Sequence, residues 1–309
     1  MEVWGSSPRI KLIDLGGRGD ALEMMYLITH RLKGILPITS LVSAGYGYAD
    51  FDPPRGEYNN LDSFIQLYGG IEVLVKELSR LHWNQWVLPD FSVGSDLEQA
   101  LTVFSGRQGF QRVRSKSESA YRISSVDFGS YKKQLSSSIR AKYFNRRTKL
   151  AEQGKLELNE ITSSSDCFKI LNQFHQLRWG RPCYSAQSMD FFSLFNDRIR
   201  LEGGAPVMQL MQVDGEAVSV LFDIVWQGVR YNLQSGDSEG HYGQLALGSL
   251  HLGFAIQQAI EIGYCYDLLA GTGKHSNYKE KIATESISLN TYCLAQGWLK
   301  GLYKIYGKS

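Results

Sequence analysis

Three consecutive runs in the second half of the chain alternate apolar and polar side chains: Val207–Val213, Ala217–Val225 and Val229–Ser235. Asp214-Gly215 and Gln227-Gly228 separate them, pairs suited to two-residue hairpin turns, so the pattern predicts an antiparallel meander. A polar link containing Gly236, Asp237, Gly240 and Gly243 leads into Gln244–Ile262, which is apolar on most of its circumference and reads as a buried helix. Gly263 suits the left-handed position just past that helix, and Cys265–Leu269 reads as a further strand. Strand, glycine-containing link, buried helix and strand together aim the free N–H groups of the helix's first turn beyond the end of the first strand. A phosphate is the usual guest there, although the helix dipole alone contributes only about 0.3–1 kcal/mol.

Elsewhere the pattern is a mixture of the two periods. Met24–His30 and Ile35–Ser43 read as a hairpin, and Trp86–Leu88 and Ala120–Ile123 as short strands. Leu61–Leu81 and Leu97–Arg107 have helical spacing, and a boundary falls near residue 125. Tyr131–Gln153 reads as one helix with seven basic residues, placing Arg140 and Arg147 on one face. That face fits a rail for anionic groups, and it fits a solvated surface equally well. Lys155–Ile161 is a strand; Asp166–Trp179 and Met189–Glu202 are helices. After the buried unit come a short helix at Tyr278–Ile282, a strand at Ser286–Ala295 and a basic helical tail at Trp298–Lys308. The first half repeats, in shortened form, the element order of the second.

Composition narrows the function. A chain of 309 residues with 43% hydrophobic residues can bury one large core or two. The net charge of +2 is too small for a dedicated DNA-binding protein, so contact with nucleic acid would have to be local. The four cysteines, Cys167, Cys183, Cys265 and Cys293, form no CxxC and read as buried apolar residues of a reducing compartment. The six histidines show no metal-ligand spacing, so no metal site is expected. With no signal-peptide pattern and no apolar run of about 18 residues, the sequence points to a cytoplasmic protein without a membrane span.

Four stretches carry a family resemblance: Leu135-Ser136 through Arg140, Arg146, Arg147 and Leu150; Phe174-His175-Gln176-Leu177-Arg178-Trp179; Gly236-Asp237 followed by Gly248; and Tyr266-Asp267-Leu268-Leu269-Ala270-Gly271 with Tyr278-Lys279. In this order and spacing the chain resembles the GNAT superfamily of N-acyltransferases in its tandem form. It looks most like the CelD-like proteins grouped with cellulose biosynthesis, also called BioF2-like acyltransferases, which are relatives of the Fem-type aminoacyl transferases. Tyr48-Ala49-Asp50 is similar to an aromatic-Asp motif of the family's first half. The sequence departs from single-domain GNAT enzymes in lacking an intact Q/R-x-x-G-x-G/A motif; Gln244 through Gly248 and Ser249 is the nearest approach.

The resemblance implies an α/β (α+β) tandem GNAT-like fold of mixed, mostly antiparallel sheets with flanking helices. It divides the chain into a reduced GNAT-like half, 1–125, and a complete acyltransferase domain, 126–309. It also implies transfer of an acyl group from acyl-CoA or acyl carrier protein, as co-substrate rather than bound cofactor, to an amine or hydroxyl of a small-molecule or saccharide acceptor, in exopolysaccharide or cell-envelope metabolism. Asp237 would be the base or orient the acceptor, a position that also suits a turn-forming Asp. Tyr278 would protonate the leaving group. Arg140, Arg147, Gln244, Gly248 and Ser249 would hold the donor, and Asp50, His175, Arg178, Trp179, Asp267 and Lys279 would face the substrate. An acid in a strand as apolar as that of Asp267 calls for a buried partner, and Arg140 or Lys279 is the expected one. Two alternatives stand beside this reading. One is a Fem-type transferase using aminoacyl-tRNA, for which the basic helix would be a surface. The other is a non-catalytic GNAT-fold partner of a polysaccharide synthase.

Overall fold

The structure is a computed structural model and describes residues 10–12, 25–32, 34–43, 70–95, 98, 101–102, 105, 110–238, 242–271 and 274–299. The chain opens with strands β1 (Ile10–Leu12), β2 (Met25–Leu32) and β3 (Leu36–Ser43), then helix α1 (Ile71–Leu78) and strand β4 (Gln85–Ser92). β5 (Phe110–Ile123) is much longer than the segment expected from the sequence, because its first nine residues are mostly polar or charged and show no apolar alternation. Asp50, the helix expected from residue 61 up to Gly70, much of the one expected at Leu97–Arg107 and the tail beyond residue 299 lie outside the described residues.

The expected single helix over Tyr131–Gln153 is in fact segmented into α2 (Phe128–Gln134), α3 (Ser137–Arg140), a π-helical turn (Ala141–Asn145) and α4 (Arg146–Ala151). Leu135 leaves the helical region, and Ser136 starts α3 by accepting the Ile139 N–H with its hydroxyl. A capping serine here offers the backbone a local alternative to continuing the helix.

From there the sequence sets its own boundaries. β6 (Leu156–Glu160) precedes α5 (Ser164–Trp179) and α6 (Ala186–Leu201), which start on the side chains of Ser163 and Ser185. β7 (Ala205–Val213), β8 (Glu216–Trp226) and β9 (Val229–Asp237) form the meander. Its turns have positive φ at both central residues, Asp214-Gly215 and Gln227-Gly228, as type I′ hairpins require. A short 3₁₀ turn (Gly243–Leu245) leads to α7 (Leu247–Ile262), closed by Gly263 at φ 89°. β10 (Cys265–Ala270), α8 (Lys274–Ile282) and β11 (Glu285–Gln296) complete the chain.

Two compact units result: Met1–Glu118 with Ser288–Ser309, and Ser119–Ile287. The chain thus crosses between units within β5 and again within β11, where the sequence reading had a single cut after residue 125. In the first unit the strand order is β1-β2-β3-β4-β11, with only β3 and β4 parallel. In the second it is β5-β10-β9-β8-β7-β6, with only β9 and β10 parallel. The architecture is mixed α/β with mostly antiparallel pairing.

Within the second unit successive residues of β8 face opposite ways. Val220 and Phe222 meet Phe168, Leu171, Phe174 and Phe192 of α5 and α6. Leu221 meets Ile256 and Leu252 of α7, and Tyr143 and Phe144 of the π turn complete the same cluster. α7 is therefore enclosed by the sheet on one side and by α2 and the π turn on the other, which explains its apolar circumference.

Candidate active site

β9 and β10 run side by side but pair only at Val229↔Cys265, Arg230↔Tyr266 and Tyr231↔Asp267. Past these residues both strands continue without pairing to each other. β10 bends away here: its register against β5 shifts between Asp267 and Ala270, and Leu269 sits at φ 58°. Two buried charges hold the bend. Asp267 accepts the Leu269 N–H at 2.7 Å. Lys279 Nζ donates to the carbonyl oxygens of Leu268, Leu269 and Ala270 at 2.6, 3.2 and 2.7 Å, supplying hydrogen bonds to strand carbonyls that pairing with β9 does not. The other Asp267 oxygen accepts from Arg122 Nε at 2.9 Å. Arg122 is the register partner of Asp267 across β5 and β10, and it takes the place that the sequence reading gave to Arg140 or Lys279.

The open end of this cleft is a cavity of about 590 Å³, within the size range of ligand pockets. Asn232, Ser235 and Asp237 enter from β9, Ala246 through Ser249 from the start of α7, Tyr278 from α8, Lys142 and Tyr143 from the π turn, and Arg178 and Trp179 from the end of α5. Asp237, Tyr278, Gly248, Ser249, Arg178 and Trp179 of the sequence-derived set thus share one cavity.

Asp237 is held where β9 meets α7. Arg178 Nη1 donates to its Oδ1 at 3.2 Å. The same oxygen lies 2.7 Å from where a Cβ on Gly248 would be, so the carboxylate rests against the first turn of α7. Ala246, which precedes that turn at φ 54°, has no side chain that could cap it. Trp179 is 53% exposed at the cavity, stacked edge-on with His175 at 4.6 Å and facing the Arg178 guanidinium at 4.8 Å. His175 itself contacts the Ser235 carbonyl oxygen at 3.2 Å, and burial lowers its pKa.

Tyr143 belongs to none of the motifs in the sequence. The π turn carries it into the cavity wall, and such turns recur at functional sites. Its carbonyl oxygen approaches α7 so closely that a Cβ on Gly253 would lie 1.9 Å from it. The phenol bonds to the Ser249 side chain, and its pKa is pushed up to about 12 by burial, with the nearby Tyr278 adding to the rise. Lys142 also comes from this turn, and among the described residues no acid pairs with it. Asn232 is fixed from beneath: Asp223 accepts from its Nδ2 at 2.7 Å, from Arg230 Nε at 2.7 Å and from the Tyr266 hydroxyl at 3.0 Å. No motif marks Asn232, because the partner that orients it, Asp223, lies on the neighbouring strand.

The remaining sequence-derived residues that are described sit outside the cavity lining. Arg140 donates to the Leu135 carbonyl oxygen, and Arg146 to that of Gln244 at 3.0 Å. Arg147 stacks 3.7 Å over the Phe254 ring and donates to Gln257, and burial lowers its pKa to about 10. The π turn between Arg140 and Arg147 changes the angle between them, so they do not form the shared rail expected of a regular helix. Asp267 and Lys279 are buried in the wall behind the cleft. Among the described residues no cluster of His, Cys, Asp or Glu is placed to hold a metal ion, and no helix is long and apolar enough to cross a membrane.

Comparison with known proteins agrees with this geometry. Residues 137–280, which include every residue lining the cavity, match the family model described as an acetyltransferase (GNAT) domain. The fold is shared with the crystal structure of FemX, at 12% identity and a TM-score of 0.56, over 97% of this chain and 90% of that one. It is also shared with L-PGS from Bacillus licheniformis, at 11% identity and a TM-score of 0.51, over 94% and 88% of the two chains. No curated protein matches the chain.

Proposed function

We propose that the cavity between β9, β10 and the start of α7 is the active site of an acyltransferase of the CelD-like type. It would move an acyl group from acyl-CoA or acyl carrier protein to an amine or hydroxyl acceptor in exopolysaccharide or cell-envelope metabolism. The observation that carries this reading is the convergence of Asp237, Tyr278 and the start of α7 on one open cleft between strands that have stopped pairing. The acceptor nitrogen or oxygen attacks the acyl carbonyl carbon, and the carbon–sulfur or carbon–oxygen bond of the donor breaks. Asp237 takes the proton that the acceptor loses, and the Tyr278 hydroxyl gives one to the departing thiolate or alkoxide. Ser249 and the Tyr143 phenol line the space where the carbonyl oxygen becomes an oxyanion, which hydrogen-bond donors stabilise.

A second reading takes an aminoacyl ester on tRNA as donor. The basic residues Lys132, Lys133, Arg140, Lys142 and Lys149 on the stretch that supplies the cavity wall favour it, because a polyanionic carrier needs such a surface.

The test is a transfer assay read by mass spectrometry, with acetyl-CoA, acyl carrier protein loaded with a short acyl chain, and aminoacyl-tRNA as donors and a panel of amines and amino sugars as acceptors. Tyr278→Phe should keep donor affinity within a few-fold and lower turnover by about 10²–10⁴. Equal turnover by parent and variant would remove Tyr278 from the chemistry. A parent that binds none of the donors would turn the assignment towards a non-catalytic partner.

A further inference from the structure

The placement of Asp237 bears on which part of a substrate the inner end of the cavity receives. In α/β folds the start of a helix behind a strand end is where a phosphate is usually taken up. Here that place is lined by a carboxylate of the protein itself. Asp237 ends β9, its Oδ1 is 2.7 Å from the Cβ position of Gly248 on the first turn of α7, and Arg178 donates to the same oxygen at 3.2 Å. Among the described residues, the charged side chains lining the cavity are Lys142, Arg178 and Asp237. Asp237 therefore acts as an internal counter-ion: it offsets the charge of Arg178 and of the start of α7 that an incoming anion would otherwise meet.

We propose that Asp237 is a specificity-determining residue that refuses phosphate at the start of α7. The phosphates of a donor that carries them lie instead towards Lys142, and the inner end is left to the acceptor's amine or hydroxyl. This deepens the transferase reading and rests on it only for the names donor and acceptor. It also accounts for the missing pyrophosphate motif between Gln244 and Ser249: a loop that does not cradle pyrophosphate has no need of that motif's glycines. Gly248 instead leaves room for Asp237, because a Cβ there would lie 2.7 Å from the carboxylate oxygen and push it aside.

Calorimetric titration with inorganic pyrophosphate and with coenzyme A tests this without turnover. Asp237→Asn and Asp237→Ser keep a small side chain and remove the charge. Each should bind pyrophosphate at least about tenfold more tightly than the parent, since a neighbouring like charge has gone, and the gain should shrink as salt is raised. Asp237→Glu keeps the charge and should show no gain. Two neutral variants are used so that poor folding of one does not decide the outcome. Folded neutral variants that bind pyrophosphate no better than the parent would overturn the proposal, as would a gain of the same size in Asp237→Glu. Because anion binding is measured without any acyl donor, its failure leaves the transferase reading standing. An inert parent in the transfer assay likewise leaves this result standing.

Discussion

Gly253→Ala sets local preference directly against tertiary packing. Gly253 lies in the interior of α7, where alanine is favoured over glycine by about 1 kcal/mol, so an isolated helix would gain stability from the change. In the fold, the new Cβ would lie 1.9 Å from the Tyr143 carbonyl oxygen and 2.8 Å from the Tyr143 carbonyl carbon. Real Cβ atoms essentially never come closer than 3.0 Å to such an atom, so α7 and the π turn must separate by at least 3.0 − 1.9 = 1.1 Å. Both are backbone, and neither can swing aside as a side chain would. The turn is pinned by Tyr143 and Phe144, both buried beside Leu252 and Ile256. A backbone-on-backbone overlap belongs at the upper end of the range of about 1–3 kcal/mol that overpacking costs, which outweighs the propensity gain by about 2 kcal/mol. At about 2–4 °C per kcal/mol, the melting temperature should fall by several degrees. The Tyr143 hydroxyl should also lose its place beside Ser249. Thermal melts followed by circular dichroism check the first effect, and turnover of the Gly253→Ala protein checks the second. A variant as stable as the parent, or more stable, would show that the close approach of the π turn to α7 is not there.

Two further predictions concern buried polar groups. Burial, with Arg230 adding, depresses the pKa of His251 to about 3 against an ordinary value of 6.5, so folding holds it neutral while the unfolded chain protonates it. Its contribution to stability is therefore present above about pH 6.5 and is lost as pH falls towards 3, at up to about 1.4 kcal/mol per pH unit. His251→Gln should flatten the dependence of the urea midpoint on pH between 6 and 4, and an unchanged slope would refute the assignment. Arg230→Met leaves the fully buried Asp223 without its cationic partner and should cost about 3–5 kcal/mol, whereas Arg230→Met combined with Asp223→Leu should recover much of that in denaturant titrations.

What the sequence determined by itself is what lies within a few residues along the chain. Apolar alternation and the Asp214-Gly215 and Gln227-Gly228 pairs specify the β7–β9 meander, because a two-residue turn fixes both register and twist. Gly263 marks a helix end locally, whereas the caps Ser163 and Ser185 start α5 and α6 a few residues before the expected starts at Asp166 and Met189. The all-round apolar pattern of α7 already required a helix enclosed on every side. Asp237, Gly248, Ser249 and Tyr278 could be nominated only through the family resemblance carried by the stretches around that helix. The tertiary structure decided everything that depends on a partner far away in the chain. Arg122 became the counter-charge of Asp267 because β5, 145 residues earlier, lies beside β10. Arg147 turned inward onto Phe254 because a π turn shifted the angular spacing that a regular helix would have kept. Tyr143 and Asn232 reached the cavity through Gly253 and Asp223, contacts that leave no periodic trace in the sequence. β11 joined the first unit by pairing with β4 some 200 residues upstream, and such pairing rests on buried faces matching across the sheet rather than on any local signal.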